Sequence, residues 1–114
     1  MDRQIEFTVK ENTYTIKLPT IGQLLQIEEQ KAIFTNGRYG YILANRTTIS
    51  ESTLDNVDMM AHLTVMCPDL ISDMAKKGLS SWKEMSIIDF NELKKPYKDV
   101  FVPWFKEFEK QAKG

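Results

Sequence analysis

The chain has 114 residues, 42% of them hydrophobic and 27% charged, with 15 Lys and Arg against 16 Asp and Glu for a formal net charge of −1. That length suits a single domain, 1–114, with one real core, and the charge balance lacks the cationic excess that holds nucleic acid or an anionic membrane surface. The single cysteine, Cys67, excludes an intrachain disulfide, as suits a reducing compartment such as the cytoplasm, and the start MDRQIEF has no apolar signal-peptide core.

Residues 4–18 read as a β-hairpin. Ile5, Phe7 and Val9 alternate with Glu6 and Thr8, and Tyr14, Ile16 and Leu18 with Thr15 and Lys17. Each strand therefore has one apolar and one wet face. Lys10-Glu11-Asn12 makes the turn, with Asn12 the residue that tolerates a left-handed backbone. A lone hairpin is marginal in water, so its apolar face is expected to rest on helices.

Pro19-Thr20 ends the hairpin, and Thr20 with Gln23 fits a capping box that opens the helical part, 20–112. Leu24, Ile27 and Phe34 lie near one helical line, with Ile21, Leu25 and Ala32 widening it into a packing stripe. Gln26, Glu28, Glu29, Gln30 and Lys31 form the polar face. Thr35-Asn36-Gly37 stops the helix, with Gly37 as the left-handed residue past its end. A short helix over 38–46 carries Tyr39, Ile42 and Leu43 on one face, and 46–52 read as a polar loop.

Leu54 to Cys67, LDNVDMMAHLTVMC, is apolar on nearly every side of a helix. Such a helix must be covered by other elements, and it is too short an apolar run to span a membrane. It is read as the central helix, with Ser52 as its cap and Asp55 in its first turn. Pro68 breaks it at Cys67 and opens a helix over 68–77, which packs through Leu70, Ile71, Met74 and Ala75 and ends at Gly78. Residues 79–88 read as a connector with one short turn of helix. Asp89 caps a helix from Phe90 to Lys95, with Glu92 at the capping-box position. Pro96 then opens the last helix, where Tyr97, Val100, Phe101, Trp104, Phe105 and Phe108 keep helical spacing, and Pro103 is expected to kink it or restart it. The fold class is thus α+β and mostly α: an N-terminal β-hairpin packed on a bundle of about five or six short helices.

Little of this sequence points to catalysis. His62 is the only histidine, so no usual zinc ligand set can form, and it reads as a partly buried histidine at the surface of the central helix. Cys67 reads as a small core residue, and no orienting group accompanies His62 and Cys67 as a nucleophile pair. Asp69 and Asp73 share a helical face and read as solvated carboxylates. Gly37-Arg38-Tyr39-Gly40 lacks the strand before it and the lysine after it that a phosphate loop needs. No catalytic residue, cofactor or metal is assigned.

The aromatic residues carry more information. Packing into a core accounts for an apolar stripe at helical spacing, while exposed rings would make a contact surface, because aromatics bury much area at low entropy cost. The candidate partner-binding residues are Tyr39, beside two glycines, Trp82, in the Ser-rich connector, and Tyr97, Phe101, Trp104, Phe105 and Phe108 in the last helix.

The phrase FTVKENTYTIKLPTIGQLLQIEEQK, then NGRYG, the apolar helix ending in Cys67-Pro68-Asp69-Leu70, and the closing Tyr97 to Pro103-Trp104 helix resemble the phage tail assembly chaperones of long-tailed phages. The resemblance covers most of the chain, through packing and capping signals rather than chemical motifs. It implies a non-enzymatic protein of the host cytoplasm that binds the long helical tape-measure protein and helps recruit tail-tube subunits. The rival reading is a structural virion component, a connector or tail-completion subunit retained in the particle. The resemblance transfers no site residue. Such chaperones are often made in a second, longer form by frameshifting near the C-terminus, with which the end EKQAKG is compatible. A homo-oligomer is compatible with either reading.

Overall fold

A computed structural model describes residues 1–113. The protein is α+β and mostly α, with a two-stranded antiparallel hairpin followed by helices that make up 69% of the chain. The residues group into two compact units, one from Met1–Leu18 together with the chain from Asp69 onward, the other Pro19–Pro68.

In the first unit, β1 (Gln4–Val9) pairs with β2 (Asn12–Lys17). The register sets Ile5 opposite Ile16, Phe7 opposite Tyr14 and Val9 opposite Asn12. Asn12 is therefore a strand residue, and the turn is the two-residue loop Lys10-Glu11. The left-handed position falls on Lys10 (φ 56°) rather than Asn12, because two-residue hairpin loops need positive φ inside the loop itself. Phe7 and Ile16 are fully buried, and the hairpin packs on the helical segment that follows Ser86.

Pro68 begins α4 (Pro68–Lys76), which buries Leu70 and Met74, while Ala75 is exposed. Gly78 ends it in a left-handed conformation (φ 86°), with the Leu79 amide reaching back to the Met74 carbonyl at 3.0 Å. Asp73 is not merely solvated, for the Tyr14 hydroxyl donates to its carboxylate at 2.6 Å. A single 3-10 turn, Trp82–Glu84, lies in the connector.

The next helix, α5 (Ile87–Pro96), starts earlier than the sequence suggests. Its cap is Ser86, whose hydroxyl accepts from the Asp89 amide at 3.1 Å. Asp89 and Glu92 do not form a capping box. They point to Lys10 at the hairpin turn, at 3.4 and 3.2 Å. Pro96 does not open a new helix either. The chain continues through a π turn (Tyr97–Phe101) into α6 (Val102–Lys113). The Val102 amide bonds back to Tyr97. This wider turn accommodates the amides withdrawn by Pro96 and Pro103 without ending the helix.

The second unit holds α1 (Ile21–Phe34), α2 (Tyr39–Ala44) and α3 (Thr48–Met66), with α1 and α2 both packed on α3. The Thr20–Gln23 capping box is present, with bonds of 2.9 and 3.1 Å. At the other end of α1 two residues in a row are left-handed, Asn36 (φ 53°) and Gly37 (φ 79°). The first position past the helix is thus Asn36, with the Gly37 amide closing onto the Ala32 carbonyl at 2.8 Å. α3 begins before Ser52, because Thr47 and Ser50 cap each other reciprocally and nothing in 48–53 breaks a helix. Leu54, Val57, Met59, Ala61, His62, Leu63 and Met66 are buried along it, and Cys67 leaves helical geometry (φ −130°, ψ 65°) before Pro68. No described helix is long and apolar enough to cross a membrane.

Candidate partner-binding surface

The face of α1 turned away from α3 exposes apolar side chains, as Tyr41, Leu43 and Ile49 do elsewhere in the second unit. Helical geometry places Ile21, Leu25 and Ala32 within about 40° of one another, and Leu24, Ile27 and Phe34 on a separate arc. Only the second arc packs inward: Ile27 is buried, and Leu24 and Phe34 are half-buried. Ile21 is 80% exposed and Leu25 63%, and Ala32 is exposed as well. They do not widen a packing stripe as the sequence suggests. They form an apolar row in water, bordered by the 63%-exposed Ile33. The acidic pair Glu28-Glu29 interrupts the row, and both residues are exposed.

A polar knot fixes this face. Lys31 is on the inward side of α1, its side chain only 14% exposed. Its ammonium lies 3.4 Å from Glu28, 3.8 Å from Asp58 of α3, and 5.0 Å from the centre of the Tyr39 ring. The Tyr39 hydroxyl donates to Asp58 at 2.7 Å, tying α2 to α3. Burial, then the bond to Asp58, pushes the Tyr39 phenol well above its ordinary range. Burial also raises the Asp58 carboxyl, against the bond from Tyr39 and the Lys31 charge, which hold it down. One turn along α3, His62 is buried rather than at the helix surface, and burial first, then Lys31, lowers it to about 3. It is neutral at pH 7.

Compared with known protein families, curated proteins and solved structures, the chain matches none.

Trp82, Tyr97, Phe101, Trp104 and Phe105 are all buried in the first unit. Phe101 sits at the centre of this group, stacked on Tyr97 (5.1 Å) and Phe105 (5.3 Å) and edge-on to Trp104 (5.8 Å). Trp82 meets Phe90 edge to face at 6.2 Å, and the Trp104 indole donates to the Asp2 carbonyl at 2.8 Å. Phe108 and Tyr39 are half-buried. The structure brings the last-helix rings together as a core ladder and leaves Tyr39 apart, in the polar knot. Among the described residues no group of three or more His, Cys, Asp or Glu is placed to hold a metal.

Sequence reasoning missed the α1 row because it assigned every apolar residue of α1 to one stripe. The signal was available: the six residues together span a wider arc than one packing contact needs. The pairing of Tyr39 with Asp58, 19 residues apart, has no local signature.

Proposed function

We propose that this chain is a non-catalytic phage tail assembly chaperone of the host cytoplasm, which binds tape-measure protein and helps recruit tail-tube subunits. The observation that supports the reading is the exposed row Ile21, Leu25 and Ala32 on α1, bordered by Ile33. Singly exposed apolar residues are ordinary on a protein surface, but a row along one rigid helix suits helix-to-helix docking. A long helical client with apolar segments gains most from such a cover, because those segments otherwise associate with one another. The polar knot of Lys31, Tyr39 and Asp58 supports this by holding the row in place before a client arrives, which lowers the ordering cost of binding.

The test is co-expression with a tape-measure segment, together with mass spectrometry of purified particles. The expected result is a soluble client and absence of this chain from particles. A fixed copy number in particles would favour a connector or tail-completion subunit. An insoluble client would count against the chaperone reading.

A further inference from the structure

We infer that the partner of the α1 face is an amphipathic helix carrying a Lys or Arg pair between two apolar clusters. This rests on the reading of that face as a docking surface and specifies its partner. Along the exposed side of α1 the order is apolar, acidic, apolar: Ile21 and Leu25, then Glu28 and Glu29, then Ala32 and Ile33. At 1.5 Å per residue, the acidic pair lies roughly 10 Å from Ile21. Glu28 is shared with Lys31, but its side chain remains 68% exposed, and Glu29 makes no ion pair among the described residues. Lys31 cannot swing out to neutralise both, since it is turned inward toward Asp58 and Tyr39.

A wholly apolar helix laid on this row would strip water from Glu29 with no cation in return, and from the Glu28 carboxylate that shares Lys31, a costly arrangement. A helix with Leu or Ile at both ends of the contact and two cations between them buries the apolar residues and pairs the carboxylates at once. The order of the clusters, though not their spacing, is the same read in either direction, so the partner helix can run parallel or antiparallel to α1.

The experiment uses the full chain and two labelled synthetic helical peptides. Both have Leu at positions i, i+4, i+11 and i+12; one has Lys at i+7 and i+8, the other Glu. Fluorescence anisotropy is expected to show the Lys peptide binding about tenfold or more tighter than the Glu peptide, with the margin shrinking at high salt. Glu29→Lys, which leaves the Glu28–Lys31 pair of the knot intact, should remove most of the preference. Thermal melts of that variant serve as the folding control, and α1 surface residues are expected to leave the melt nearly unchanged. Equal binding of both peptides overturns the basic-partner inference and leaves the docking face standing. Binding of neither peptide overturns both. Sedimentation of the chain alone separates the remaining occupant: a dimer mass that the charge-reversed variant abolishes would give the face to a second copy and overturn the inference.

Discussion

The Tyr39 hydroxyl donates a 2.7 Å hydrogen bond to Asp58, and no other hydrogen bond described joins α2 to α3. Because the acceptor is a carboxylate raised by burial, the bond counts for more than a neutral surface one. Tyr39→Phe keeps the ring under Lys31 and removes only the donor. It is expected to cost about 1–2 kcal/mol at pH 7 by chemical denaturation. The cost should shrink in acid, as Asp58 takes up a proton and needs the donor less. An equal loss in acid would mean that the bond does not depend on the Asp58 charge, and no loss at either pH that the hydroxyl contributes nothing.

His62 makes stability depend on pH more directly. Its ordinary value is 6.5 and burial takes it to about 3 in the fold. Between those values the unfolded chain holds a proton at His62 that the folded chain does not, so stability falls as pH drops. The slope is about 1.4 kcal/mol per pH unit. Full stability from this group is present above 6.5. Asp58 works the other way: its raised carboxyl stabilises most below 3.8, and that contribution is lost as pH rises through its folded range. Denaturation at pH 7 and pH 5 should show a loss of about 2 kcal/mol in the wild type and a much smaller one in His62→Gln. Equal losses in the two proteins would place the titrating group elsewhere.

The hairpin, the capping box at Thr20, the break at Cys67-Pro68 and the stop at Gly78 were legible because each is a local event. Alternation, a short polar side chain beside a free amide, a missing donor and a missing Cβ act within a few residues. Elements whose outcome depends on distant partners were less legible. Asp89 looks like a cap until Ser86 takes that place and Lys10, across the hairpin turn, draws Asp89 and Glu92. Pro96 looks like the start of a helix and Pro103 like a kink or restart, until a π turn between them carries the helix through. The α1 row was only partly legible, as an arc too wide for one packing contact, for a related reason. Periodicity says which residues share a side, but not how much of that side a neighbouring helix covers.

The glycines offer a paired test of backbone against side-chain effects. A Cβ at Gly40 or Gly78 meets nothing within 4 Å, so neither substitution creates a clash. Gly78 is left-handed (φ 86°) and Gly40 lies inside α2. Gly78→Ala should therefore cost about 1 kcal/mol, while Gly40→Ala should gain up to about 0.5–1 kcal/mol by reducing unfolded-state freedom. Thermal melts of the two variants should move in opposite directions. A shift of the same sign in both would refute the backbone account.

Two substitutions separate what the helices need for folding from what α1 offers to a partner. Val57 is 4% exposed on α3, and Leu25 is 63% exposed on α1. Val57→Asp places a charge at a side-chain position shut off from water, at a cost of about 3 kcal/mol or more. In a domain of this size that lowers the melting temperature by about 10 °C or more. Leu25→Gln leaves the buried arc of α1 intact and is expected to stay within about 0.5 kcal/mol of the wild type. It should nevertheless weaken capture of an apolar helical client, because it removes one of the two side chains of the N-terminal apolar cluster. A fully stable Leu25→Gln protein that still keeps its client soluble would move the contact surface off α1. A Val57→Asp protein that melts like the wild type would show that α3 is not the element on which the second unit is built.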